Sequence, residues 1–100
     1  MQKRTKATAI PSKVRKRVEE RDGHCCIFCG MPGSRGEGHF IKRSQGGLGI
    51  EENLVTVCRY CHFQMDDGYS RALYIQKAES YLKSIYADWD RSKLVYKKGL

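Results

Sequence analysis

No apolar run in this 100-residue sequence approaches the length of a membrane span, which argues against a spanning helix. Met1–Thr8 is polar and basic and lacks the apolar stretch of a secretory leader, so the chain is expected to stay in a reducing cytosol. No internal repeat is present, and no linker is long enough to separate a pair of domains. Acidic residues are scarce: 11 Asp and Glu stand against 19 Lys and Arg, a formal net charge of +8. That balance favours a polyanionic partner, most simply nucleic acid, with an anionic membrane surface as the other option and a merely solubilising surface as the bland one. A chain this short has a thin core, and such chains often use a metal or disulfides as a staple.

The charge is uneven. Residues 1–21 carry eight Lys or Arg and only Glu19 and Glu20, whereas residues 22–69 carry four Lys or Arg and six Asp or Glu. A basic arm thus precedes a mildly acidic middle, where a cation site is expected. The organisation is read as a disordered basic tail over residues 1–10 and one domain over 11–100. Its core spans about 14–68, a C-terminal helix about 71–86, and a polar, basic tail 88–100. A first helix starts near Pro11–Ser12, with Ile10, Val14 and Val18 as its apolar stripe, and ends at Asp22-Gly23. Met31 to Gly38 reads as a loop and Phe40-Ile41 as a short strand. Leu54–Val57 reads as a second strand, and Arg59–Asp67 as a helix stopped by Gly68. Ser70 is a candidate N-cap for the last helix, whose buried face is Ile75, Ala78, Leu82, Ile85 and Trp89.

Five cysteines are available as the staple, and four form two pairs. Cys26 and Cys29 are separated by two residues, as are Cys58 and Cys61, with 28 residues between the pairs. In a reducing compartment two such pairs more often hold one structural Zn²⁺ than form disulfides. Cys25 reads as a partly buried side chain, or as a substitute ligand for Cys26. Between and after the pairs stand His39, Asn53, His62 and Asp66. His62 and Asp66 are four apart, so on a helix they share a face and can hold one divalent ion. Each also has a bland reading, as helix-surface groups.

The order of these pieces, CIFCG, GHFIKRS, QGGLGIEENLV and CRYCH, resembles the HNH nuclease family in its zinc-bearing form, particularly small phage and prophage proteins. The resemblance runs from about Val14 to Gly68. It implies an α+β chain with a ββα-metal (His-Me finger) fold, in which two strands and a helix surround one catalytic metal and the cysteine zinc braces the unit. By the same resemblance His39 is the general base, Asn53 holds the connecting loop and orients His39, and His62 is a metal ligand. Asp66 stands where some members place a further ligand. One departure matters, because members commonly carry Asp or His as a ligand just before the base, and here that position is Gly38. Either the chain bends to bring Glu37 in, or Asp66 and water complete the coordination, or catalysis is weak. An Asp at Gly38 is then expected to raise activity, if the backbone there tolerates a side chain.

The function so implied is a metal-dependent DNA endonuclease in a bacterial cytosol, leaving 5′-phosphate and 3′-hydroxyl ends. His39 takes a proton from water and one divalent metal stabilises the leaving oxygen. Mg²⁺ or Mn²⁺ is the expected catalytic ion, with Co²⁺ or Ni²⁺ also tolerated by an imidazole-containing site. Lys13, Arg15, Lys16, Arg17, Arg21, Lys42, Arg43 and Arg59 are candidate phosphate contacts, which position DNA without reading its sequence. The competing readings are a catalytically silent zinc module for DNA or RNA, and an adaptor to a phage packaging enzyme. The zinc module has no need of His39, Asn53 and His62 at these spacings. Oligomeric state and DNA preference leave no mark in the sequence.

Overall fold

The computed structural model describes residues 3–97. Its elements are helix α1 (Lys3–Thr8), helix α2 (Ser12–Arg21), strand β1 (Arg35–His39), strand β2 (Leu54–Val57), helix α3 (Arg59–Asp67) and helix α4 (Arg71–Ile85), with short 3-10 turns between them. The two strands pair antiparallel, Gly38 facing Val55 and His39 facing Leu54. Two strands followed by a helix, with four cysteines gathered at one end, form the expected small α+β unit.

The sheet is the hub. Leu54, Val55 and Val57 of β2 are buried, and around them pack Val18 of α2, Met65 of α3, Ala78 and Leu82 of α4, and Phe40. None of the described helices is long and apolar enough to cross a membrane.

The first strand lies earlier than Phe40-Ile41, inside the stretch expected to be a loop. The reason is glycine. An ideal Cβ at Gly36 would stand 2.9 Å from the Arg15 carbonyl and 3.0 Å from Val18 Cγ1. At Gly38 it would stand 2.9 Å from Val57 Cγ2 and 3.0 Å from Met65 Cε. The inward face of β1 is therefore bare so that α2 and α3 can close on it. Strand propensity, which rests on side-chain packing, does not register such a segment. The pairing is also irregular between Arg35 and Gly38, a one-residue excess on β1 of the kind a β-bulge makes.

The N-terminal arm departs from the expectation of a disordered tail. Over residues 3–10 the arm is ordered. The Ala7 carbonyl accepts from Gly49 N at 3.0 Å, Arg4 Nη2 donates to the Ser44 carbonyl at 2.7 Å, and Thr8 is buried. Met1 and Gln2 lie outside the described residues. The segment after Asp88 is likewise pinned: Leu94 is buried, Val95 bridges to Gly47, and Tyr96 N donates to the Gly46 carbonyl at 2.8 Å. Residues 98–100 lie outside the described residues. In α4, Ala78 and Leu82 are buried as expected and Ile75 and Trp89 pack against the core, but Ile85 is 38% exposed. The helix ends at Ile85, and Tyr86 and Trp89 turn to the core in its place.

Candidate nuclease site and thiolate cluster

The cysteine cluster assembles from two turns. Gly30, in the left-handed region at φ 80°, closes the first by donating to the Cys26 carbonyl at 2.9 Å. Ile27 N donates to the Thr56 carbonyl at 3.0 Å and ties that turn to β2. The second turn is the start of α3, where Cys58 is the N-cap and its sulfur accepts from Cys61 N at 3.4 Å.

All four sulfurs, of Cys26, Cys29, Cys58 and Cys61, lie within 4.8 Å of one another, and Cys29 Sγ is 3.6 Å from Cys58 Sγ. Four thiolates on a tetrahedral zinc at about 2.3 Å stand roughly 3.8 Å apart, so the cluster fits that ion. Their electrostatics agree. Burial pushes Cys26 up, but amide donors of Cys58, Cys29 and Phe28 outweigh it and bring it to about 7. Cys61 is driven upward by burial and by the neighbouring sulfurs. Cys25 is not in the cluster; it pairs with Pro32 in an isolated bridge.

The second site is a cleft of about 670 Å³, on which Arg15, Glu37, His39, Lys42, Arg43, His62, Asp66 and Asp67 converge. His39, at the end of β1, donates from Nε2 to the Thr8 carbonyl at 3.0 Å. A carbonyl only accepts, so this bond selects the Nε2–H tautomer and leaves the lone pair on Nδ1. The imidazole pKa is lowered, first by burial and then by the Arg43 and His62 charges, against the Thr8 bond and Asp66. His39 is thus held neutral, as a base requires.

Asn53 is fully buried. Its Oδ1 accepts from Ile41 N at 2.9 Å, and its Nδ2 donates to the Leu48 carbonyl at 2.9 Å and the Ile41 carbonyl at 3.2 Å. Phe40 N donates to the Asn53 carbonyl at 2.8 Å. Asn53 therefore fastens the loop that leaves His39 but does not line the cleft.

His62 follows Cys61 on α3, and its Nε2 lies 3.3 Å from Asp66 Oδ2. Neighbouring ligands on an octahedral ion with bonds of about 2.1 Å stand roughly 3 Å apart, so the pair suits two adjacent positions of one cation. Among the described residues, no further group of three or more potential ligands gathers as the cysteines do. Glu37 reaches the cleft because it shares the outward face of β1 with His39, whereas Gly38 points into the core.

The candidate phosphate contacts divide. Lys13, Lys16 and Arg59 are exposed. Arg15 reaches the cleft, and its Nε is the one buried side-chain donor among the described residues without a hydrogen-bond partner, 3.7 Å from Glu19. Lys42 lines the cleft and pairs with Asp67 at 3.0 Å, and Arg17 pairs with Glu51 at 3.0 Å. Arg43 lines the cleft but commits Nε to Thr8 Oγ1. Arg21 does not belong with them. It is spent inside the fold on Asp22, the Glu51 and Leu54 carbonyls and the Tyr86 hydroxyl, a network that packs α2 against β2 and α4. Its place at the end of a basic helix conceals that role.

A ββα unit braced by four thiolates, with a histidine at the end of one strand and a second on the following helix, defines a class of small nuclease-type domain. The HNH endonuclease family profile matches residues 26–67. The chain belongs to the HNH endonuclease family. It is 32% identical over 57 residues to a protein named Anaredoxin from Nostoc sp., a span covering 56% of this chain and 75% of that relative. No solved structure matches it.

Proposed function

We propose that the chain is a metal-dependent DNA endonuclease. The observation that carries this reading is the convergence of a neutral His39, the His62–Asp66 pair and the cationic Arg15, Lys42 and Arg43 on one open cleft. His39 Nδ1 takes the proton of the attacking water, a role suited to an imidazole kept neutral. Arg15, Lys42 and Arg43 line the cleft and supply positive charge to a phosphate there. His62 and Asp66, with Glu37 within the same cleft, would hold a divalent ion such as Mg²⁺ or Mn²⁺. When bound, that ion supplies charge stabilisation at the phosphoryl and leaving oxygens. The thiolate cluster, taken as a zinc site, keeps α3 and β2 in place and does not enter the chemistry. The products are 5′-phosphate and 3′-hydroxyl ends.

A plasmid-nicking assay of zinc-loaded protein, with Mg²⁺, with Mn²⁺ and with a chelator of the added ion, tests the reading. Metal-dependent conversion of supercoiled to nicked DNA supports it. Tight DNA binding without cutting under any of these ions sinks it in favour of a second reading, a catalytically silent zinc module. One observation favours that second reading: Gly38 offers no ligand before the base.

A further inference from the structure

The N-terminal helix makes a contact that neither the sequence motif nor the cysteine frame accounts for. The hydrogen-bond partner of His39 Nε2 is not a residue of the ββα unit. It is the main-chain carbonyl of Thr8, 31 positions earlier, at 3.0 Å. That carbonyl is held from several sides. Thr8 is 2% exposed. Its hydroxyl donates to the Thr5 carbonyl and accepts from Arg43 Nε at 3.1 Å. The Ala7 carbonyl just before it accepts from Gly49 N, and Arg4 is tied to the Ser44 carbonyl. The Ala9 carbonyl just after it rests where a side chain at residue 49 would be, so that only glycine fits there. The loop that Asn53 fastens is thus the seat on which α1 lies.

We infer that α1 is a positioning element of the active site, whose Thr8 carbonyl fixes the tautomer and ring plane of His39 so that Nδ1 faces the cleft as the base. The inference rests on the nuclease reading of that cleft. Thr8 touches neither water nor phosphate in this role; it acts through the imidazole. A freely rotating histidine at the end of a strand would spend much of its time with the wrong nitrogen, or no nitrogen, toward the water. An anchored one is oriented before DNA arrives. The opposite role, a carbonyl that occludes the base and must leave, predicts the opposite response to its removal.

Gly49→Ala tests this in the full chain, because the added Cβ displaces the Ala9 carbonyl while every cation stays in the sequence. Ala7→Pro is the second variant; it breaks α1 from within, since proline removes an amide and clashes with the preceding turn. Each zinc-loaded protein is assayed for single-turnover cleavage, for DNA affinity, and by NMR for the His39 Nε2–H proton, which the Thr8 bond shields from exchange. The expected result is a loss of that shielded proton and a fall in cleavage of about tenfold or more, short of the roughly 10²–10⁴ of losing a general base outright, with DNA affinity held within about twofold. Faster cleavage in the variants overturns the inference in favour of occlusion. Unchanged cleavage overturns it, as does a proton that stays shielded in both variants. A wild-type chain that cuts no DNA overturns the nuclease reading, and this inference with it. Wild-type cutting that both variants preserve overturns this inference alone.

Discussion

Gly38→Asp would supply, on paper, the ligand that stands before the base in many HNH proteins. The structure predicts that it will unfold the chain instead. The inward face of β1 has no room at this position: a Cβ would meet Val57 Cγ2 at 2.9 Å, Met65 Cε at 3.0 Å and the Val55 carbonyl at 3.1 Å. Val55 and Met65 are both fully buried, so the obstruction has no solvent side to yield toward. Forcing extra carbon into a packed core costs about 1–3 kcal/mol. A carboxyl group placed against a valine, a thioether and another acceptor adds about 1–3 kcal/mol if it is left unmet, even if it takes up a proton. The sum, about 2–6 kcal/mol, is a large share of the roughly 5–15 kcal/mol that stabilises an ordinary domain. Gly38→Ala isolates the first contribution and should lower Tm by roughly 5–20 °C at this chain length. Gly38→Asp should lower it further and lose activity with the fold. The assay is thermal unfolding of zinc-saturated protein, followed by circular dichroism, for wild type and the two variants. A Gly38→Asp protein with wild-type Tm and faster cleavage would refute the reasoning, since it would show that β1 can rotate its faces.

Further outcomes follow from the geometry. Cys58→Ser should release the zinc and unfold the chain, because it removes one of the four clustered sulfurs, although the serine hydroxyl can still cap α3; a folded, zinc-free variant by circular dichroism and metal assay would disprove the shared site. His39→Ala should lose about 10²–10⁴ in single-turnover cleavage with zinc content and DNA affinity retained. His62→Ala should lose activity that high Mn²⁺ partly restores. Because burial holds the His39 imidazole below its usual value of about 6.5, the wild-type rate should stay level on lowering the pH to that point and fall only beneath it as the base takes up a proton; an acid limb above neutrality would contradict that environment. Neutralising Lys13 and Lys16 together should reduce both DNA affinity and its salt dependence, as fewer counterions are released, whereas Arg21→Met should act on stability instead, because that guanidinium is bonded inside the fold.

The cysteine pairs and helices α2, α3 and α4 are legible in the sequence because their signals are local, whereas α1 falls in the stretch read as a disordered tail. Two-residue spacing and a terminating glycine place α3 over Arg59–Asp67 without reference to the rest of the chain. Strand β1 is not legible, because Gly36 and Gly38 are there for what packs behind them, and that is written in Val18, Val57 and Met65. The lining of the cleft is half legible. His39, His62 and Asp66 stand out as residue types, whereas Glu37 reaches the cleft by sharing the outward face of β1 with His39, on a strand the sequence does not announce. The Thr8 contact has no signal at all, since it is made by a main-chain carbonyl that every residue possesses. Arg21 passes for a phosphate contact for a related reason: a cation's partners lie far along the chain, at Glu51, Leu54 and Tyr86.

The two cysteine pairs bracket a stretch of 28 residues, and a cation shared by them acts as a cross-link closing that loop. A cross-link removes open conformations from the unfolded chain in proportion to the logarithm of the loop it closes. Both strands, His39 and Asn53 lie inside this loop, whereas α1 lies wholly outside it. Opening of the chain is therefore expected in two tiers. The floor of the cleft exchanges its amide protons only when the cation leaves, but α1 can peel away and return while the cross-link stays closed. Amides of β2 and of residues 3–9 should accordingly exchange with opening free energies that diverge as zinc is added, the first rising with the ion and the second indifferent to it.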